Sequence, residues 1–139
     1  MNRVLTFCLA LLALTGAATA QDTMRIAAVV NDNVISVFDL RARITLVVRS
    51  TGLASSPELA QQMAGPVLRT LIDESLQIGE AESQGIILSD VELKVALSAI
   101  EQSNGLAAGG LGDWLRGMGI PRPALVSQLR AQLTWTKYV

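Results

Sequence analysis

The sequence predicts a mainly α-helical domain that begins with a small β-hairpin. Apolar residues recur every three or four positions through most of residues 37–138, as they do on one face of a helix. Serine, proline and glycine divide this pattern into segments of helical length. The exception is the run Ile26-Ala27-Ala28-Val29-Val30, whose composition favours a strand.

The hairpin is predicted from this run and the residues that follow it. Asn31-Asp32-Asn33 tolerate turn conformations, and Val34-Ile35-Ser36 can pair back onto the first strand. Because two strands alone are marginally stable in water, we expect the hairpin to lie against helices.

The first helix is predicted to start after Ser36 and to stop at Gly52, with Asp39 near its free backbone N–H groups. Its apolar face comprises Leu40, Ile44 and Val47, with Val48 beside them. The arginines of this segment, Arg41, Arg43 and Arg49, are mostly off that face.

The second helix is predicted to start at Ser56-Pro57, a cap followed by proline at the first helical position. The helical pattern continues to about Gln84, and Gly85 ends it. Gly65-Pro66 interrupts this pattern, and since proline removes a hydrogen bond and clashes with the preceding turn, we expect a kink or a break there.

Three further helices are predicted. Ser89 and Glu92 have the spacing of a capping box, and the helix that they start ends at Asn104-Gly105. After a glycine-rich stretch, residues 113–118 form a short helix with Trp114, Leu115 and Met118 facing inward. The last helix starts at Pro121-Arg122-Pro123 and spaces Leu125, Leu129 and Leu133 by four.

Residues 1–20 are predicted to be a secretory signal peptide. A short positive start is followed by an uncharged apolar run over residues 4–18 and by Ala18-Thr19-Ala20, so cleavage is expected after Ala20. The other interpretation, a membrane anchor, needs ~20 apolar residues, more than this run supplies. The mature, exported domain would then comprise residues 21–139.

Composition argues against catalysis. The chain has no histidine, and its one cysteine, Cys8, lies in the predicted signal. An enzyme here would lack the most common acid–base residue and any thiol nucleophile or thiolate ligand. Without Arg3 the formal net charge changes from −1 to −2, and no basic cluster suggests a nucleic-acid surface. We therefore predict no catalytic residue, cofactor or metal ion.

Single residues with possible chemical roles have simpler interpretations. Asp73-Glu74 and Glu80-x-Glu82 are expected on a solvated helix face, since neighbours in a helix point apart. Ser36, Ser56 and Ser89 are expected to be caps, because no histidine is present to activate them. Trp114 and Trp135 are expected in a core or a groove, with ligand stacking as the alternative.

Several segments resemble, in the same order, the N-terminal region of the SurA periplasmic chaperones. The matching residues are 28–35 with Asp39-Leu40, 71–77, Glu80-Ala81, 85–92, Asn104-Gly105, Gly119-Ile120 and 128–135. The resemblance implies a multihelical, trigger-factor-like peptide-binding domain that lies in the periplasm and holds unfolded outer-membrane proteins without ATP. Longer members of this family continue into parvulin-type prolyl isomerase domains, whose sites use histidine. Since this sequence has no histidine, we expect no such domain in it.

The expected peptide contacts are apolar residues after Gly65 and after Pro123, namely Leu68, Leu71, Ile72, Leu129, Leu133 and Trp135. Two alternatives stay open at this point. The domain is a structural or interaction module completed by a second copy or another partner, or it is a truncated remnant of a SurA-type isomerase that lacks the catalytic domain.

Overall fold

The computed structural model describes residues 25–139, which form a two-stranded antiparallel hairpin followed by five helices. The strands are β1 (Ile26–Val30) and β2 (Asn33–Ser36), and the helices are α1 (Val37–Ser50), α2 (Pro57–Ser83), α3 (Asp90–Ser103), α4 (Leu111–Gly117) and α5 (Arg122–Tyr138). The predicted class, mainly α with a small N-terminal hairpin, is confirmed. The predicted signal peptide lies outside the described residues and stays a prediction.

The hairpin has one buried and one exposed face. Asn31 has the left-handed φ of 52° that the tight turn requires. Val29 pairs with Val34 on the exposed face, whereas Val30 and Ile35 are buried against the helices. The expectation that helices must support the hairpin is confirmed by this packing.

The predicted caps are present. The Ser36 hydroxyl accepts a hydrogen bond from the Asp39 N–H at 3.1 Å, and the Asp39 carboxylate accepts one from the Ser36 N–H at 2.9 Å. Ser89 and Glu92 form the same reciprocal pair at the start of α3. Ser56 caps α2 by accepting from the Leu59 N–H. These three serines therefore act as caps, as predicted.

Of the kink or break predicted at Gly65-Pro66, the break is wrong, because α2 runs without interruption from Pro57 to Ser83. Gly65 and Pro66 both lie on the exposed side of the helix, as does Gln62, whose carbonyl loses its helical N–H partner at Pro66. Water can bond to that carbonyl. Burial of Val67, the next residue, and of Leu71, about one turn further on, holds the helix together.

The interior consists of two apolar clusters, and α1 contributes to both. The first cluster, next to the hairpin, is formed by Val30, Ile35, Ile44, Val48, Val67 and Leu71. The second cluster, towards the C-terminus, is formed by Ala42, Leu46, Leu111, Leu115, Ile120 and Ala124. The single apolar face predicted for α1 is therefore too narrow, because Ala42 and Leu46 form a second buried side.

The short helix α4 depends on a residue from α3. Gly110 precedes α4 and offers no side chain as a cap. The buried carboxylate of Glu101 instead accepts a hydrogen bond from the Leu111 N–H at 3.1 Å. Leu115 is fully buried as predicted, but Trp114, also predicted to face inward, is 36% exposed. Trp114 therefore lies at the surface edge of the second cluster.

Candidate functional site

The three predicted contact residues on α2 belong to the domain interior. Leu71 is a buried member of the first cluster, and Leu68 and Ile72 are half-buried and pack against it. Leu71 also borders a cavity of about 350 Å³ beside β2, together with Val34, Glu74 and Ile78. The structure thus gives this triplet a packing role, with access to solvent at its edge.

The three predicted contact residues on α5 are all half-buried. Trp135 stacks on Tyr138, with ring centroids 5.1 Å apart, and lines a cavity of about 410 Å³. That cavity borders the polar side of α2 at Thr70, Asp73 and Gln77, and none of Leu68, Leu71 and Ile72 lines it. The six predicted residues are therefore not brought together around Trp135.

Three strongly exposed aliphatic residues lie elsewhere, along α3 and just before it. Ile87, Val91 and Val95 are 66%, 72% and 65% exposed, and we call them the α3 strip. They are spaced by four, so Val91 and Val95 share a helix face that points away from buried Leu93. The sequence did not predict this strip, because helical spacing identifies the inward residues Leu93, Leu97 and Ile100 but does not show that Val91 and Val95 stay uncovered.

An apolar groove of about 410 Å³ opens between α1, α3, α4 and α5. Its walls are the side chains of Leu46, Ile100, Trp114, Leu115, Met118, Ile120 and Leu125, and Arg49 and Ser50 complete its lining. Arg49 is exposed, and its guanidinium forms no ion pair with any of residues 25–139. We call this feature the apolar groove.

A buried ion pair crosses the centre of the domain. Arg43 of α1 is 3% exposed and donates two hydrogen bonds to Glu74 of α2, at 2.7 and 2.9 Å. It donates a third to the Ser127 hydroxyl of α5 at 3.1 Å. The expectation that Arg43 lies off the buried face and that Glu74 is solvated is therefore wrong, because each neutralises the other inside the fold.

A surface ion pair joins the start of α3 to the end of α5. Lys137 donates to both carboxylate oxygens of Glu92, at 2.8 and 3.1 Å, and to the Ile87 carbonyl. Its side chain and the capping bonds from Ser89 lower the pKa of Glu92 from 4.5 to about 2. We call the Glu92–Lys137 pair the latch.

The described residues offer surfaces rather than a reaction centre. Within residues 25–139, no group of three or more Asp, Glu, Cys or His side chains is arranged to hold a metal ion. Over the same range, no helix combines the length and apolar character that crossing a bilayer requires. What the arrangement provides chemically is exposed apolar area: the α3 strip and the apolar groove.

Comparisons with family models and with curated proteins both identify the same family. Residues 23–138 match the family described as the SurA N-terminal domain, and no parvulin domain is found in the chain. Proteins named Chaperone SurA are similar over the same region. The one from Burkholderia orbicola is 28% identical, over 88% of this chain and 27% of its own length.

The Chaperone SurA of Chromobacterium violaceum is 31% identical over 85% of this chain and 28% of its own length. The Chaperone SurA of Xylella fastidiosa is 35% identical over 79% of this chain and 24% of its own length. The chain thus spans about a quarter of the length of these curated relatives. No solved structure matches it. Since the family match covers nearly all of the described residues, the chain belongs to the SurA N-terminal domain family.

Proposed function

We propose that this domain is an ATP-independent chaperone module that holds unfolded outer-membrane proteins in the periplasm. Membership of the SurA N-terminal domain family supports a chaperone role. The structural observation that carries the proposal is the α3 strip, in which three large aliphatic side chains stay more than half exposed. Val91 and Val95 lie one turn apart on α3, and exposed apolar surface of this kind favours binding of apolar polypeptide segments.

The physical basis of holding is burial of apolar area on both partners. Covering a Val or Ile side chain is worth about 1.5–3 kcal/mol. Ordering a flexible client costs much of that gain, because each immobilised side chain loses about 0.5–1.5 kcal/mol. The balance favours weak and reversible binding, which is what holding requires, and no step in it needs nucleotide hydrolysis.

The residues predicted from sequence take unequal parts in this proposal. Trp135, Leu129 and Leu133 lie half-buried on α5 and are proposed as secondary contacts. Leu68 and Ile72 offer only their solvent-facing edges, and Leu71 contributes mainly by keeping α2 in place.

The test is suppression of aggregation. A urea-unfolded outer-membrane β-barrel protein is diluted into buffer with or without residues 21–139, and light scattering is followed. The chain should reduce scattering, and the Val91→Ser/Val95→Ser variant should reduce it less. Val29→Ser/Val34→Ser, a similarly exposed pair on the hairpin, is the matched control. A chain that leaves scattering unchanged would count against the holding role.

The same α3 strip favours a second candidate, an interaction module in which another copy or a partner covers the strip. Sedimentation of the chain at several concentrations separates the two. A tight dimer that does not bind unfolded client supports the interaction module.

We further propose that the chain has no prolyl isomerase activity, since the parvulin site depends on histidine and this sequence has none. A proline peptide should isomerise at its background rate in the presence of the chain.

A further inference from the structure

The apolar groove has the dimensions of a receptor for one large side chain. Its volume of about 410 Å³ is at the small end of ligand pockets, which span about 300–1,000 Å³. Its walls come from four helices that pack around the second cluster, so its shape is set by the fold. A groove of this size accepts one aromatic or aliphatic side chain with its flanking backbone, but not a whole helix.

Arg49 gives this groove a charge preference. It is the only ionisable residue among those that line the groove, and no carboxylate within residues 25–139 pairs with its guanidinium. A bound segment with a carboxylate next to its apolar side chain would supply that partner. A segment with a lysine at the same place would be repelled.

We propose that the apolar groove binds one large apolar side chain of an extended polypeptide, and that Arg49 selects segments in which an acidic residue adjoins it. The proposal rests on the proposed holding function and names the site and the chemistry of its client. Because Arg49 is exposed, the charge preference is modest: exposed ion pairs change equilibrium constants by about 1.5-fold to fivefold.

Trp114 lines the groove and provides the signal for the test. The chain contains one other tryptophan, so residues 21–139 carrying Trp135→Phe report on the groove through Trp114 alone. Two capped heptapeptides are titrated into this variant. Both contain adjacent Phe and Leu residues, and they differ only at the neighbouring position, which is Asp in one peptide and Lys in the other. At low salt the Asp peptide should bind about threefold more tightly. Equal affinities would overturn the selection by Arg49.

Two Arg49 variants separate charge from structure. Arg49→Gln should abolish the difference between the two peptides, and Arg49→Lys should retain it. Raising the salt concentration to 0.5 M should also reduce the difference, because exposed charges are screened. If the preference for Asp survives in Arg49→Gln, the proposal is wrong, whatever the effect of that substitution on stability.

Blocking the groove tests the location. Ser50 is exposed at the end of α1 and lines the groove. Ser50→Phe should therefore fill the groove and lower the affinity for both peptides at least tenfold. The matched control is Ser83→Phe. Ser83 also ends its helix, and its hydroxyl donates to the carbonyl three residues earlier, as that of Ser50 does. Unchanged affinity in a folded Ser50→Phe variant would overturn the site.

The two proposals fail in different ways. Aggregation of the unfolded barrel protein is measured with the same variants. If the chain suppresses aggregation but Ser50→Phe binds both peptides normally, the holding function stands and the groove proposal fails. If neither suppression nor peptide binding is seen in the unaltered chain, both proposals fail together.

Discussion

At the residue scale, Arg43 is the side chain whose role differs most from its sequence pattern. The sequence places Arg43 mostly off the apolar face of α1, yet its guanidinium is buried and joins α1 to Glu74 of α2 and Ser127 of α5. Its Nε is buried and finds no hydrogen-bond partner within residues 25–139. The ion pair and the hydrogen bond to Ser127 therefore join three helices, and burial of the guanidinium carries a desolvation cost.

Removing one partner of this ion pair should strongly destabilise the fold. We expect Arg43→Met to lower the free energy of unfolding by about 2–4 kcal/mol, because Glu74 is left charged and only 16% exposed. The double variant Arg43→Met/Glu74→Leu should recover at least half of that loss. Urea unfolding followed by circular dichroism measures both. A double variant no more stable than the single one would show that the pair itself, rather than the orphaned charge, sets the stability.

At the element scale, α2 contains an unfavourable pair of residues in its middle. Proline in a helix interior costs about 3 kcal/mol relative to alanine, and glycine costs about 0.5–1 kcal/mol. Both residues are exposed, and a Cβ added at Gly65 would meet no other atom within 4 Å. Packing of the helix against the first cluster offsets these costs.

Substitution of these residues should therefore stabilise the domain. We expect Pro66→Ala to raise the free energy of unfolding by about 1–2 kcal/mol, since the gain in the helix is partly offset by a more flexible unfolded chain. Gly65→Ala should raise it by about 0.5–1 kcal/mol. Thermal melts of both variants measure the change. A lower melting temperature for Pro66→Ala would mean that the helix needs the proline's geometry.

The latch between α3 and α5 makes a pH-dependent contribution at the same scale. The pKa of Glu92 is lowered in the folded state, so its stabilisation is complete above about 4.5 and is lost as pH falls towards 2. Glu92→Gln should lower the urea midpoint at pH 7, and its difference from the unaltered chain should shrink between pH 4.5 and 2. Glu58→Gln, which removes a carboxylate from the first turn of α2, is the control. A difference that is constant with pH would contradict this role.

At the scale of the whole molecule, local chemistry was enough to predict the order of elements. Capping bonds form between residues three apart, so Ser36–Asp39 and Ser89–Glu92 could be identified without knowledge of the fold. The break at Pro66 was a local inference that burial of α2 overrode. The second buried side of α1 could not be predicted, because it depends on α4 and α5 reaching Ala42 and Leu46 from far along the chain.

The candidate site was harder to predict for a related reason. Helical spacing shows that a face is apolar but not whether another element covers it. Leu71 and Val91 illustrate the difference: both are apolar residues of amphipathic helices, but Leu71 packs in the first cluster and Val91 is 72% exposed. The apolar groove combines side chains from four helices, so no stretch of sequence contains its pattern.

The shared position of α1 has a consequence for the order in which the domain can form. A chain emerging N-terminal end first presents α1 early, and Ile44 and Val48 can pack as soon as α2 has followed. Ala42 and Leu46 can be covered only when Leu115 and Ala124 have followed, about seventy to eighty residues later. During that interval the Ala42 and Leu46 side of α1 is exposed to water, so the domain is transiently prone to aggregation before it has finished folding.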